Sequence, residues 1–138
     1  GLHTPASPHL SAQLDGVRIE LSKIVRPTTD NTLIIEAAGG LYVPLNDEDT
    51  MLDLILPTDK VVLVSRHYLG SINHTMLTYE ALKNKGLNVH GIIFSGTPTP
   101  STEEFILHKT GLPVLLRIDE EPYFDKQVVK EYASKLKI

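Results

Sequence analysis

The sequence predicts an α/β fold in which helices and a mainly parallel sheet form three αβα layers. Short apolar runs at residues 61–64 and 89–94 are rich in β-branched side chains, as in strands buried on both faces. Longer segments with helical spacing of apolar residues separate such runs, and glycine or proline marks many of the boundaries. Because strands alternate with helices, we expect parallel pairing through right-handed crossovers.

The first predicted elements are a helix and two strands. Ser7 followed by Pro8 is typical of a helix start, and the helix should end near Gly16. Residues 17–22 alternate between apolar and polar, which predicts a short strand or an extended segment with one solvated face. Residues 33–37 are apolar except for one acid, which predicts a strand buried on both faces.

The rest of the chain continues this alternation, and its boundaries carry recognisable cap signals. The predicted elements are a short helix at residues 51–55, a strand at 61–64, a helix capped by Ser71 and ended by Gly86, a strand at 89–94, a helix with a capping box between Ser101 and Glu104 that ends at Gly111, a strand at 113–118, and a closing amphipathic helix with Phe124, Val128, Val129, Tyr132 and Leu136 on one face.

The composition indicates one ordinary globular domain, residues 1–138. Of these residues, 41% are hydrophobic, which is enough for a core. The formal net charge of −4 argues against a nucleic-acid surface, and no apolar run reaches the length of about 18 residues needed to span a membrane. Cysteine is absent and the first residues lack signal-peptide features, so we expect a cytoplasmic protein.

Glu36 is the first candidate for chemistry, because it ends an apolar run and precedes two glycines, Gly39 and Gly40. Burying a carboxylate is costly unless it meets a cation, and small neighbours let another group approach the backbone. The carboxyl ends of parallel strands are where α/β sheets bind ligands. A lone acid at such a place can also be a loop cap or a salt-bridge partner, and both interpretations stay open here.

Two other groups invite a metal interpretation. Asp47, Glu48 and Asp49 form an acidic run, for which a solvated or helix-capping role is the alternative. The six histidines show no spacing typical of a zinc site. We therefore predict no zinc, and the role of the acidic run stays open.

Three long segments carry a resemblance to a known family. They are IIEAAGGLYVPLND from residue 34, VVLVSRHYLGSINHTMLTYEALKNKGL from residue 61 and GIIFSG from residue 91. In this order they resemble dethiobiotin synthetase, whose members carry VEGAGG-x-x-x-PL and LG-x-INH-x-x-LT segments. The resemblance extends from Ser7 to the last helix. The chain departs from the family at Ala37, usually glycine, and at Ser95, usually asparagine.

The resemblance implies a P-loop NTPase-like (Rossmann-like) fold that is incomplete at its N-terminal side. The phosphate-binding pattern G-x-x-x-x-G-K-[ST] does not occur in these 138 residues, and the family's catalytic lysine has no counterpart. The chain is therefore predicted to be the C-terminal portion of the family's fold, with no catalytic residue of its own. Without the strand that precedes the P-loop, two strand edges should be open to added chain, self-association or distortion.

The resemblance also implies a reaction and its partners. Dethiobiotin synthetases close a ureido ring from 7,8-diaminononanoate and CO2, with ATP as a substrate and Mg2+ as cofactor. A homodimer is implied, with the substrate site at its interface. The implied nucleotide-binding residues are Glu36, which also binds Mg2+, and Ala37, Ala38, Gly39, Ser95, Gly96, Ile118, Asp119 and Glu120. The implied substrate-binding residues are Gly40, Leu41, Pro44, Leu69, Gly70, Ser71 and Asn73.

Two functions of different class remain open from the sequence. The first is the synthetase, with the isolated chain inactive because nothing in it can cradle a triphosphate. The second is a non-catalytic, degenerate P-loop-fold domain that binds a nucleotide or a partner. For Glu120 and Glu121 a role as solvent-facing acids is weighed equally with a place in the purine pocket.

Overall fold

The computed structural model describes residues 1–137, and only Ile138 of the predicted domain lies outside them. The chain divides into two compact units, Gly1–Leu56 and Pro57–Ile138. Each unit is built from its own local signals. None of the helices in residues 1–137 is long and apolar enough to cross a membrane.

The first unit begins with helix α1, Pro8–Leu14, which confirms the predicted helix. Proline at its first turn fits because its missing N–H would have no helical partner there. The chain before the helix is tied to its end, since the backbone N–H of His3 and the hydroxyl of Thr4 donate to Asp15 at 2.6 and 2.7 Å. The His3 hydrogen bond is the main reason why the pKa of Asp15 is lowered, because it stabilises the carboxylate.

The buried strand predicted at residues 33–37 does not form. Residues 17–20, part of the predicted strand or extended segment, have no regular secondary structure, Glu20 is extended, and a 3-10 helix follows at Leu21–Lys23. Residues 33–37 are exposed and irregular, with Ile34 86% and Ile35 58% accessible. A strand needs a neighbour to accept its N–H groups, and within the described residues no strand pairs with either segment. The prediction that the apolar run at residues 33–37 is buried is therefore wrong.

The end of the first unit is better ordered. Pro44 and Thr50 form an isolated antiparallel bridge, with Leu45 buried beside it. A 3-10 helix follows at Met51–Leu54, where Thr50 and Asp53 form a capping box. This confirms the predicted short helix.

The second unit contains a parallel three-stranded sheet in the order β1–β2–β3. The strands are β1 at Val61–Arg66, β2 at Val89–Ser95 and β3 at Val114–Ile118. All three were predicted, although β1 is an edge strand of this sheet and β2 is its centre. The helices are α2 at Ser71–Asn84, α3 at Pro100–Thr110 and α4 at Lys126–Lys135.

The core of the second unit lies between the sheet and its helices. Its fully buried side chains are Leu82, Ile92, Phe94 and Ile106. Burying a side chain of this size stabilises the fold by about 1.5–3 kcal/mol. These residues come from α2, β2 and α3, so the central strand and two helices share one apolar contact region.

Several cap predictions need correction. Ser71 is the first residue of α2, and the cap position is Gly70 at φ +102° with no side-chain hydrogen bond. The predicted capping box of Ser101 and Glu104 is absent, because the cap of α3 is Thr99 and the helix begins at Pro100, two residues earlier than predicted. The predicted stop at Gly111 is confirmed, since this residue adopts the left-handed conformation at φ +66°.

The closing helix α4 is shorter and more exposed than predicted. Its cap is Asp125, whose carboxylate accepts from the backbone N–H groups of Gln127 and Val128. Of its predicted apolar face, Phe124 and Val129 are exposed. The half-buried positions are Val128, Tyr132 and Leu136, spaced four residues apart along one stripe.

We expect Gly91→Ala to destabilise the second unit. A methyl group built on Gly91 would lie 2.6 Å from Cγ of Leu115, a buried side chain on the neighbouring strand. Overpacking of this kind costs about 1–3 kcal/mol, which urea unfolding measures. In a Leu115→Ala background the added methyl should cost much less. An equal cost in both backgrounds would show that the two strands do not pack as described.

Candidate functional site

The carboxyl ends of the three strands form one edge of the second unit. The register pairs Arg66 with Ser95 and Ser95 with Ile118, so these residues stand in one row. The loops that follow all leave the sheet from this row. This edge therefore brings together the predicted residues at the ends of β2 and β3. The start of α2, which follows β1, lies at the same edge.

Ser95 and Gly96 are held from both sides. The backbone N–H of His67 donates to the Ser95 carbonyl at 2.8 Å, and the N–H of Gly96 donates to the Ile118 carbonyl at 2.9 Å. Gly96 has φ +100°, which an L side chain rarely adopts. This turn is thus fixed by the ends of both neighbouring strands.

The start of helix α2 is uncapped by any side chain. The N–H of Ser71 donates to the Tyr68 carbonyl, and the next N–H groups of a first helical turn have no partner within the helix. Such N–H groups and the positive end of the helix dipole suit an anion. Leu69, Gly70 and Asn73 are exposed here, whereas the Ser71 side chain is buried.

A cleft of about 250 Å³ lies beside this helix start and along the outer side of β1. Its floor includes a hydrogen bond of 2.7 Å between the buried hydroxyls of Ser65 and Thr75. At its mouth the Tyr68 hydroxyl and Nδ1 of His74 are 2.6 Å apart. Arg66 adds the positive charge of the lining. The cleft thus combines polar groups with an exposed cation next to the helix start.

The loop after β3 holds the remaining predicted residues of this edge. Asp119 and Glu120 are exposed, and Glu120 lies 3.7 Å from the Arg66 guanidinium. The backbone N–H of Asp119 donates to the Tyr132 hydroxyl, which in turn donates to Glu121 at 2.6 Å. The hydrogen bond to Glu121 raises the pKa of Tyr132, because it stabilises the protonated phenol. Helix α4 is therefore fastened to this loop.

The other predicted residues lie in the first unit. Glu36, Ala37 and Ala38 are exposed in irregular chain, so Glu36 does not end a buried strand. Gly39 has φ +79°, and a Cβ there would meet Val43 at 2.9 Å, so the tight turn requires glycine.

Among the substrate-binding predictions of the first unit, three lie on the same short turn structure. Gly40 accepts a hydrogen bond from the N–H of Val43, and the Leu41 carbonyl accepts from Leu52. Pro44 is half-buried in its bridge to Thr50. Between residues 40 and 44, Gly40 and Tyr42 are exposed.

The acidic run has a structural explanation. Oδ1 of Asn46 accepts from the backbone N–H groups of Glu48 and Asp49, and Nδ2 of Asn46 donates to Asp49. Asp47 and Glu48 lie within 4.0 Å of Arg18. No group of three histidines, cysteines or acids within residues 1–137 is arranged to hold a metal ion. The run therefore folds a turn.

Sequence reasoning missed a buried polar cluster at the same edge. The Glu103 carboxylate, 8% exposed, accepts hydrogen bonds from Nε2 of His67 at 3.1 Å and Nε of Arg117 at 2.7 Å. Arg117 is a charge inside an otherwise apolar strand, which signals that it needs a partner. That signal does not identify the partner, because Glu103 lies on a different element.

Comparison with known proteins assigns the chain to a family. A family model described as an AAA domain matches residues 1–128. Curated proteins named ATP-dependent dethiobiotin synthetase BioD are similar over most of the chain. The relative from Christiangramia forsetii is 54% identical over 136 residues, 99% of this chain and 66% of its own length. The relative from Cytophaga hutchinsonii is 49% identical over 98% of this chain and 66% of its own. The chain spans just under two thirds of these relatives.

We expect Tyr132 to lose its phenolic proton at a higher pH than an ordinary tyrosine, whose pKa is about 10. Because the folded pKa is raised, the contribution of this group to stability is complete below the unfolded pKa and disappears as pH rises through the folded pKa. Absorbance titration of the phenolates, compared between the native chain and Tyr132→Phe, measures this. The midpoint of the difference curve should lie at a higher pH than that of a free tyrosine. In the Glu121→Gln variant this midpoint should move to lower pH. A difference curve at the ordinary pKa in both would contradict the hydrogen bond.

Proposed function

Because the chain belongs to the AAA domain family and is related to the dethiobiotin synthetases, we propose that it is part of a dethiobiotin synthetase. The P-loop NTPase-like α/β fold and the resemblance to these enzymes, both expected from the sequence, are confirmed. The proposed reaction is the Mg-ATP-dependent closure of a ureido ring from 7,8-diaminononanoate and CO2. We propose that the protein works in the cytoplasm as a homodimer.

The observation that carries the proposal is the uncapped start of α2 beside an open cleft. The segment LGSINH, which carries much of the resemblance, forms this start. A substrate with a carboxylate far from its reacting amines needs an anchor for that carboxylate, so that the amines are held in line. Free N–H groups of the helix start, with Arg66 in the adjoining cleft, offer such an anchor.

The nucleotide is proposed to lie at the row of strand ends. Ser95 and Gly96 form the fixed turn there, and Ile118, Asp119 and Glu120 continue the adjacent edge. The serine hydroxyl can donate one hydrogen bond and accept up to two, whereas the family's usual asparagine offers an amide with two N–H donors and a carbonyl acceptor. The base preference therefore depends on more than this one side chain.

Magnesium would supply positive charge to the phosphates during transfer. Glu36 fits this role by its chemistry, because Mg2+ binds one or two carboxylates together with water and phosphate oxygens. Its exposed position leaves the carboxylate accessible to such an ion. The chain's own contribution would be to hold the metal from one side.

The second candidate function is a non-catalytic nucleotide- or partner-binding domain. The absence of G-x-x-x-x-G-K-[ST] from these 138 residues favours it for the chain by itself. The two functions differ in one observable, since only the synthetase forms product.

We predict that the 138-residue chain alone forms no dethiobiotin from 7,8-diaminononanoate, CO2 and Mg-ATP. The physical reason is the missing phosphate cradle, which leaves the γ-phosphate without its main electrostatic partners. Product is measured by mass spectrometry. Adding a segment that carries G-x-x-x-x-G-K-[ST], taken from a complete dethiobiotin synthetase, should restore product formation. Product from the chain alone would refute the prediction, and its absence after complementation would favour the non-catalytic function.

A second prediction tests the carboxylate anchor. Asn73→Pro removes one first-turn N–H while leaving the helix ladder intact, since these N–H groups have no partner within the helix. Calorimetric affinity for 7,8-diaminononanoate should fall by about tenfold, the loss expected for one charge-assisted hydrogen bond. Asn73→Ala is the matched control, because it keeps the N–H. Equal affinity in both variants, or equal loss for a diamine without a carboxylate, would contradict the anchor.

A further inference from the structure

One buried carboxylate joins three elements of the second unit. Glu103 lies in the first turn of α3, and it accepts from His67, the residue after β1, and from Arg117 in β3. The side chains of Glu103 and His67 are 8% and 5% exposed, while that of Arg117 is 51% exposed. We call these three residues the Glu103 cluster.

The Glu103 cluster also packs on one aromatic ring. The His67 ring stacks on Phe94 with centroids 5.5 Å apart and planes 11° apart. The Arg117 guanidinium lies 5.9 Å from the same ring centroid, within the range of a cation–π contact. Phe94 is 1% exposed and immediately precedes Ser95. The cluster is thus held in place by packing against Phe94 as well as by its hydrogen bonds and charges.

The hydrogen bonds determine the tautomer of His67. An ionised carboxylate only accepts, so Nε2 of His67 carries the proton that points at Glu103. In the neutral ring Nδ1 is then an acceptor, and this buried atom has no hydrogen-bond partner. The histidine therefore makes one directed hydrogen bond, and its direction is set by Glu103.

The cluster surrounds the turn between β2 and α3. The backbone of His67 holds one end of the turn through the Ser95 carbonyl, and its side chain reaches Glu103 just beyond the other end. Arg117 is one residue from Ile118, whose carbonyl binds Gly96. Each anchor of the turn is therefore adjacent to, or part of, a member of the cluster.

We propose that the Glu103 cluster is a positioning network that sets the turn at Ser95 and Gly96 for nucleotide binding. The inference rests on the proposed function, because it takes this turn as the place where the base is bound. None of the three side chains is assigned contact with the nucleotide. A buried ion pair adds little net stability after its desolvation cost. Its consequence here is that it fixes the geometry of the elements that it joins.

The test compares Glu103→Gln with Glu104→Gln in the full 138-residue chain. Glu104 is the exposed neighbour on the same helix, so its variant has the same change in net charge. Two quantities are measured: the dissociation constant of Mg-ATP by NMR titration, and amide hydrogen exchange at His67 and Gly96. Glu103→Gln should weaken Mg-ATP binding about tenfold, because the turn at Ser95 and Gly96 is no longer held in one position, and should speed exchange at both amides. Exchange at Ile92 in the core of β2 should stay unchanged.

The outcomes separate this inference from the proposed function. Mg-ATP affinity equal in the two variants overturns the positioning role, even if Glu103→Gln lowers stability. A native chain that binds no Mg-ATP even after a P-loop segment has been added overturns the proposed nucleotide site, and the inference falls with it. If Glu103→Gln does not fold, Arg117→Lys decides, because its half-exposed side chain keeps the charge and loses the guanidinium geometry. This variant should show a smaller loss of affinity with faster exchange at Gly96, and an unchanged affinity overturns the proposal.

Discussion

Parallel pairing of three strands is the constraint on which the second unit depends. Parallel strands bring their carboxyl ends to one edge, and the register here places Arg66, Ser95 and Ile118 in a single row. Each loop that leaves this row starts from a fixed backbone position. The uncapped helix start, the turn after β2 and the loop after β3 are therefore neighbours by topology, before any side chain is considered.

The polar groups at this edge make its geometry more specific than pairing alone. Glu103 ties the end of β1 to α3 and β3, and Tyr132 ties α4 to the loop after β3. The Glu103 carboxylate is 8% exposed, whereas Tyr132 and Glu121 are half-buried. Together they describe an edge that is held in position and is open to a ligand at the helix start.

The sequence predicted what depends on neighbours close in the chain, and it failed where distant partners decide. The apolar runs of β1, β2 and β3 became strands because they pair with each other. Residues 33–37 have the same apolar character, yet they are exposed, because an apolar pattern does not reveal whether a partner strand is present. The cap of α3 is Thr99, two residues before the predicted Ser101, which is a local error of position. The Glu103 cluster could not be foreseen, since its members lie 36 and 14 residues apart.

The ligands of this chain are proposed to bind at the carboxyl edge of the sheet. Amide NMR shift mapping during titration with 7,8-diaminononanoate, and separately with Mg-ATP, locates the binding sites. We expect the diamine to shift the amides of residues 69–73, and Mg-ATP to shift those of Ser95, Gly96 and residues 118–120. Shifts confined to the opposite edge, around Val61, Val89 and Val114, would contradict it.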